Sequence, residues 1–555
     1  MISDNDFIDR KYHKYIPILA ERLNKINDMN HDVFFWKKSL GLGLIRNITL
    51  FYDMFKMCEE NFSEEKHDCC ILSENSYYIP KDLNDQRDFF QCTAYGQEQM
   101  FSVYMHLFYP DRYELIEDEF FWPSLSNIET KSIFFRLVKK LSRITVDKLI
   151  GKIINQVSKI RNPKVAIIES FFYASHLTNL IVKSKGLIRA IPIKSNFAYS
   201  SELQLNKRID IAAIEDDFDR FDSFFFTSMR YCFPKIFIED FEQVFSFYSK
   251  YFEKFNKLNY VVNESWIGNN HSSIAMAILQ QKGIKHIYNE HNFLSHHFLG
   301  NNHKYIFPQV DEFISLGWYK NNVPKLIKGA SLFEWVEEKK YKKEHDILFV
   351  SGQPPIKTPE VSAAYGDFGA FNAKSHLDFN HTFFGELNEK TLQSIVYRGY
   401  PLESLIVYHL KPHMFAYDQE YVLREYVKKF KLVDNVSPSA KVLMQKSKLI
   451  IIDYLSTSYV ESMIADIPTI FFWNKDIYPL QEEESEFYNV LIEVGICQTD
   501  PSSAAEFIEN IKQDPFKWWH QESVQNAKNK FLTKNFGHVN ILKEYLLKKY
   551  NAKII

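Results

Sequence analysis

From residue 165 onward, short uninterrupted apolar runs alternate with longer stretches of helical periodicity. VAII at 165–168 is such a run, followed by SHLTNLIVKSKG and a second apolar run at 187–191 that Pro192 closes. Further strands are expected at 260–263, 286–288 and 312–315, where apolar residues stand beside polar ones, with a helical stretch at 271–282 between the first two. Runs that are apolar at every position, rather than at every second one, predict strands covered on both faces. Strands alternating with helices predict parallel βαβ units. A lysine-rich stretch, EEKKYKKEH at 337–345, interrupts the pattern and is the expected domain boundary. The alternation then resumes. Strands are predicted at 346–350, 405–408, 449–453 and 469–472, and helices at 386–397, 419–429, 439–447 and from 457.

Residues 1 to about 130 predict a mostly helical region, with apolar positions at helical spacing over 36–55. Residues 131–160 are amphipathic: Phe134, Leu137, Val138, Leu141, Ile144, Leu149, Ile153 and Ile154 share one broad face, and lysines and arginines lie opposite. The predicted fold class is α/β. Two Rossmann-like parallel-sheet domains face a cleft, with an N-terminal helical extension and a C-terminal helix. The expected limits are 1–335 for the first domain with its extension, 346–520 for the second and 521–555 for the terminal helix.

Composition changes this picture little. A chain of 555 residues exceeds a single hydrophobic core, in keeping with two domains. Gly (17) and Pro (19) are scarce, which argues against long low-complexity linkers, and no repeat of fixed period occurs. The net charge of -3 argues against a nucleic-acid binder. Six cysteines without CxxC or zinc spacing suggest buried thiols in a reducing compartment. The polar start MISDNDFIDRKYHKY lacks the apolar core of a secretory signal, and no run of about 18 apolar residues occurs. A cytoplasmic location is therefore expected, with the basic face of 131–160 resting on the inner face of the plasma membrane as one option. A core helix with a solvated basic face is the other. The abundant Phe (49) and Tyr (32) are compositional and are not taken as a ligand box.

In open α/β sheets, ligands bind beyond the carboxyl ends of the strands, so chemistry is sought there. The sharpest candidate is LIIIDYLSTSYVE, starting at Leu449. A buried strand runs into Ser456, Thr457 and Ser458, which open a helix. Hydroxyls and free N–H groups at a helix start suit a phosphate. Glu461 faces a ribose or closes a capping box with Ser458, and plain N-capping is the alternative. The second candidate is LIVYHLKPHM from Leu405, where His409, Lys411 and His413 follow an apolar run and can neutralise a leaving phosphate. The alternative is a solvated strand end. The third is KHIYNEHNFLSHHFLG from Lys285. Glu290 or His291, just past a strand, can take a proton from an acceptor hydroxyl, against the alternative of a polar loop.

His291, His296, His297 and His303 fit no metal-site spacing, so no metal site and no cofactor are expected. Asn263 with Glu264 and Ser265 is a weaker polar candidate. Asp217-Phe-Asp219 spells the DxD of metal-dependent GT-A enzymes after a strand-like IDIAAI, but an exposed acidic loop explains it better. Gly41-Leu-Gly43 lacks the rest of a dinucleotide fingerprint.

The segment near Trp36, KGIKHIYNEHN, VDEFISLGW ending at Trp318, and DYLSTSYVESMIADIPTIFFWN carry a resemblance that spans most of the chain. The chain resembles the transferases encoded in bacterial O-antigen and surface-carbohydrate clusters. Their layout is similar to that of cytidylate-using GT-B enzymes: Kdo and sialic-acid-type transferases and CDP-glycerol phosphotransferases. The resemblance implies a metal-independent GT-B-like glycosyltransferase. It implies a nucleotide-sugar donor, CMP-linked and of nonulosonic acid or Kdo type, and a surface-glycan, lipid-linked or protein acceptor for polysaccharide biosynthesis. It also implies that the first domain takes the acceptor and the second the donor. His291 becomes the base, and His413 or His409 with Ser456, Thr457 and Ser458 hold the donor phosphate. Two departures stand out: His291-Asn292 replaces a frequent His-Gly, and Pro412-His413 reverses His-Pro. The alternatives are CDP-alditol phosphate transfer, sugar-nucleotide epimerisation on the same scaffold, and a non-catalytic envelope-assembly scaffold.

Overall fold

The computed structural model describes residues 2–62, 69–117, 162–168, 174–193, 197–200, 202–263, 270–290, 297, 303–320, 323, 325–328, 341–352, 370–399, 423–433, 439–455, 457–475 and 479–536. These fall into two compact units. One lies within Met1–Asn289 and Phe307–Phe313, the other within Glu290–Ile306 and Ile314–Leu542.

The first unit opens with helices Ile2–Asn27, Val33–Leu40 and Gly43–Phe62. The helical spacing over 36–55 is therefore split in two. Gly41, at φ 55°, turns the chain out of the helical region between the pieces. A two-stranded parallel pair follows, β1 (Cys69–Leu72) with β2 (Tyr113–Ile116). Further helices include Leu83–Cys92, Ala94–Phe108, Leu205–Ile211, Arg220–Cys232 and Phe241–Glu253. Helix Arg220–Cys232 buries Phe221, Phe224, Phe225 and Phe226. Phe51 and Phe55 pack against Phe224, so much of the aromatic excess is helical core.

The first half of the strand-like IDIAAI, Ile209 to Ile211, lies in the helix Leu205–Ile211. Arg208 and Ile211, three apart, share its buried side, whereas Leu205 and Ile209 are exposed. Arg208 is fully buried and grips Glu239 with two parallel bonds, Nε to Oε1 at 2.8 Å and a terminal nitrogen to Oε2 at 2.7 Å. Its other terminal nitrogen donates to the carbonyls of Arg230 and Phe233.

The first large sheet has the order β4-β3-β5-β6-β7-β8. Its strands are β3 (Val165–Ile168), β4 (Ile188–Ala190), β5 (Tyr260–Asn263), β6 (Lys285–Asn289), β7 (Glu312–Ser315) and β8 (Leu326–Lys328). β3 pairs in parallel with both β4 and β5, and β5 with β6. All four residues of β3 are buried, which is why this strand appears in the sequence as an unbroken apolar run. Lys38 of the N-terminal helices is buried against β6. Its Nζ lies 2.6 Å from His286 Nδ1 and donates to the Gln309 carbonyl. Burial, and then the neighbouring Lys38 charge, hold His286 well below its ordinary pKa, so it accepts as a neutral ring.

The second sheet has the order β11-β10-β9-β12-β13-β14. Its strands are β9 (His345–Val350), β10 (Ile395–Arg398), β11 (Lys431–Leu432), β12 (Ser447–Ile452), β13 (Thr469–Phe472) and β14 (Cys497–Gln498). Every neighbouring pair is parallel. The expected helix over 386–397 is only Glu389–Ser394. Asn388 caps it by accepting from Thr391 N at 3.0 Å. The β-branched and aromatic Ile395, Val396 and Tyr397 then leave it to pair with β9 and are all buried. The predicted strand at 405–408 lies outside the described residues. The C-terminal helix is described as Glu522–Asn535, with Val524, Ala527 and Phe531 turned inward.

Candidate functional site

In the second sheet, β9 comes first in the chain, β10 and β11 step to one side, and β12 begins the other side. The strand order therefore reverses between β9 and β12, and at such a point the carboxyl ends of adjacent strands open a crevice. The first sheet has an equivalent reversal between β3 and β5.

Asp453 stands where β12 ends, with its carboxylate buried. Oδ1 accepts from Gly352 N at 2.6 Å, just past β9. Oδ2 accepts from the Ser351 hydroxyl at 2.7 Å and from Asn380 Nδ2 at 2.8 Å. His376 Nε2 is 3.4 Å from the same oxygen and 3.3 Å from Asn380 Nδ2. One carboxylate thus ties together the turn after β9, the end of β12 and the helix Ala370–Glu386 that carries His376 and Asn380. The turn is tightly packed: a Cβ at Gly352 would meet the Tyr454 ring at 2.6 Å. The neighbouring Asn474 Nδ2 reaches Ser375 Oγ at 2.8 Å. In the sequence, Asp453 stood inside the LIIIDYLSTSYVE motif without a role of its own, and Ser351, His376 and Asn380 were not singled out. The available signals were the polar residues closing DILFVSG and LIIID.

The helix Thr457–Ile464 starts four residues after Asp453 and presents half-buried Thr457 and Ser458 in its first turn. Glu461 is buried, with Oε1 3.2 Å from Lys441 Nζ on the helix Ala440–Lys446. Burial raises its carboxyl above the ordinary range, and Lys441 counteracts only part of that. Ser456, His409, Lys411 and His413 lie outside the described residues.

Glu290 follows β6 and belongs to the second unit. It is 2% exposed. Its Oε2 accepts from Leu316 N at 2.9 Å and from the Trp318 indole nitrogen at 2.6 Å, and Oε1 faces His303 Nε2 at 3.2 Å. The imidazole of His303 stacks on Trp318, with ring centroids 5.4 Å apart. The arrangement orients an imidazole against a buried carboxylate, a pairing able to hold or move a proton at Nε2. His291 and His296 lie outside the described residues. His297 is enclosed in the second unit, where it bonds to Tyr488 and Asn535.

At the reversal point of the first sheet, Asn263 ends β5 buried, and the helix Asn270–Gln281 follows with Asn270, His271, Ser272 and Ser273 all buried. Tyr199 donates to Asp82 Oδ2 and lies 3.1 Å from His271 Nε2. Burial pushes His271 down to about 4 against the opposing Asp82 charge. Of the DxD pair, Asp219 caps helix Arg220–Cys232 in a capping box with Asp222 and pairs with Lys11. Asp217 is exposed, 3.5 Å from Lys14. Among the described residues, no group of three or more His, Cys, Asp or Glu is placed to hold a metal ion. None of the described helices is long and apolar enough to cross a membrane.

Two α/β sheets, each with a reversal point and polar residues at its strand ends, place the candidate ligand positions at the loops beyond those ends. The chain belongs to the LIC12162 family of transferases, whose sequence model matches residues 2–549. No curated protein matches it. Solved structures with some similarity include the wall teichoic acid polymerase TagF, at 13% identity over 76% of this chain and 97% of that one, with a TM-score of 0.35. MurG of Acinetobacter baumannii is 11% identical over 70% and 100% of the two chains, with a TM-score of 0.35. MnaA of S. aureus, solved with UDP, is 11% identical over 69% and 97%, with a TM-score of 0.34.

Proposed function

We propose that this transferase is a metal-independent glycosyltransferase of the GT-B type. In this reading it moves a sugar from a nucleotide sugar to a surface-glycan, lipid-linked or protein acceptor. The donor is CMP-linked, of the nonulosonic acid or Kdo class. The bond from the sugar's anomeric carbon to the phosphate breaks, and a bond from that carbon to an acceptor oxygen forms. The acceptor's proton passes to His291 or Glu290, and the nucleotide leaves with the bonding pair. His409, Lys411 and His413, with Ser456, Thr457 and Ser458, neutralise the leaving phosphate, and Glu461 faces the ribose. Positioning and charge stabilisation carry most of the rate. Association with the inner membrane surface would come from the basic face of 131–160.

The observation that carries this reading is the reversal point of the second sheet. Asp453 fixes the turn after β9 beside the strand that leads into Thr457 and Ser458. That is where an open parallel sheet receives a nucleotide, and the helix start beyond it suits an anion.

Thermal shift with CMP, CDP, UDP and GDP and their sugars, with and without EDTA, tests it. A nucleotide at a hundred times its Kd adds about 2.7 kcal/mol to stability. Selective stabilisation by cytidine nucleotides that EDTA does not abolish is the expected result. Stabilisation by UDP or GDP alone replaces the donor, metal-dependent binding redirects attention to Asp217 and Asp219, and no shift with any nucleotide sinks the reading. Product mass then separates transfer from epimerisation, which adds nothing to an acceptor.

A further inference from the structure

His297 has no exposed surface, and neither have Tyr459, Tyr488 and Asn535 around it. Its Nε2 lies 2.9 Å from Asn535 Oδ1, and its Nδ1 lies 3.0 Å from the Tyr488 hydroxyl. The Tyr488 hydroxyl is in turn 3.1 Å from that of Tyr459. Donor directions follow from one end of this series. Asn535 Nδ2 donates to the Phe531 carbonyl at 3.1 Å, so Oδ1 is the atom that meets His297 and must accept. His297 Nε2 therefore carries the proton and Nδ1 accepts. Tyr488 donates to Nδ1, and its oxygen accepts from Tyr459. The hydrogen bonds run one way: Tyr459 to Tyr488, to His297, to Asn535, to a helix carbonyl.

Burial pushes His297 down to about 3, the bond to Asn535 opposing and the charges of Lys534 and Lys320 assisting. The ring thus stays neutral and the series keeps its direction at physiological pH. Glu484, whose Oε2 is 3.7 Å from Nε2, is raised by burial, with Lys534 and Lys320 opposing. Two backbone ties hold neighbouring parts of the chain: the His297 carbonyl accepts from Gln481 N at 2.8 Å, and Gly317 bridges to Phe536.

Tyr459 directly follows Ser458, and His297 lies in sequence between Glu290 with His291 on one side and His303 on the other. We propose that His297 is a positioning residue of the transfer reaction, fixing the chain at a point seven residues after Glu290 to the helix that begins at Thr457. The proposal rests on the functional reading above. An apolar residue of similar size would also fill this core, and a buried polar series is a costly way to gain stability alone. What such a series adds is one defined geometry, because each donor must meet its own acceptor.

Backbone hydrogen exchange of the full chain, read in peptides covering 297–306 and 457–464, tests this. Tyr459→Phe deletes one hydroxyl at the far end of the series. It is expected to speed exchange in 297–306 about tenfold, the effect of losing about one buried hydrogen bond. His297→Leu is expected to speed exchange in both peptides. His297→Gln, whose amide can donate to Asn535 and accept from Tyr488, restores the wild-type rates. CMP, or whichever of CDP, UDP and GDP stabilises the wild type, should slow exchange in both peptides of the wild type and of His297→Gln. In His297→Leu it should slow only 457–464. Unchanged exchange in 297–306 of Tyr459→Phe, or nucleotide protection reaching 297–306 in His297→Leu, overturns the proposal. A wild type that no nucleotide stabilises overturns the functional reading and with it any role in transfer, while the Tyr459→Phe comparison still decides the anchoring itself.

Discussion

Replacing Asp453 by alanine removes the acceptor of three short hydrogen bonds, from Gly352 N, Ser351 and Asn380. Bonds to a charged acceptor contribute about 1.5–3 kcal/mol each when one partner is truncated. Against their sum stands the cost of keeping a carboxylate out of water, several kcal/mol, which the variant no longer bears. The net loss should be about 3–5 kcal/mol, because the Gly352 donor is left inside without a partner and Asn380 keeps only its contact with His376. At about 2–4 °C per kcal/mol for a unit of this size, melting should fall by about 6–20 °C. Asp453→Asn keeps the shape but turns an amide NH2 toward one donor, so its loss should be roughly half as large. Urea unfolding followed by tryptophan fluorescence reads both variants, with Trp473, Trp518 and Trp519 as reporters in the same hydrophobic core. A loss below about 1 kcal/mol for the alanine variant would refute the view that this carboxylate holds the two strand ends together.

Gly352→Ala forces a methyl group to within 2.6 Å of the Tyr454 ring. It should cost about 1–3 kcal/mol and weaken nucleotide binding in titration calorimetry more than Gly385→Ala does, where the nearest atom is the end of the Tyr426 side chain at 3.2 Å. Arg208→Ala leaves Glu239 buried without its partner and should destabilise the first unit by about 3–5 kcal/mol, with no change in nucleotide affinity. Asp222 is buried, which opposes its charge, but hydrogen bonds from Lys11, Tyr15 and Lys14 prevail and hold its carboxyl below the usual range. A depressed native pKa contributes stability that is complete above the ordinary carboxylate pKa and is lost as pH falls through the native one. Acid unfolding of Asp222→Asn should therefore show a shallower pH dependence below about pH 4 than the wild type, and parallel curves would contradict this assignment.

Several of the covered strands were legible from short apolar stretches. Residues 165–168 are apolar at every position, 260–263, 312–315 and 469–472 each hold at least two consecutive apolar residues, and the observed β3, β5, β7 and β13 have those limits. The helix Leu205–Ile211 was hidden because its inward face carries an arginine, Arg208, that only the distant Glu239 renders buriable. The first three residues of β10 were absorbed into the helix expected over 386–397 because no turn signal separates them from Glu389–Ser394. At the candidate site, Thr457, Ser458 and Glu461 were legible as polar residues at a strand-to-helix junction. Asp453 was printed in the same motif, but its meaning lay in partners 73 and 102 positions away. The orientation of His297 depends likewise on residues 191 and 238 positions along. Local periodicity carries no record of such pairings.

The order β11-β10-β9-β12-β13-β14 also sets how this sheet tolerates changes in chain length. β9 pairs with β10, which follows it by one crossover, and with β12, which returns only after β11 and the helix Ala440–Lys446. The entropy of closing that long return grows only logarithmically, so doubling it adds about 0.6 kcal/mol. Inserted segments between β10 and β12 are therefore nearly free for the sheet, provided the register of β12 on β9 survives. The edge side of the second unit is thus a place where new loops, and with them new substrate preferences, can be added without rebuilding the core.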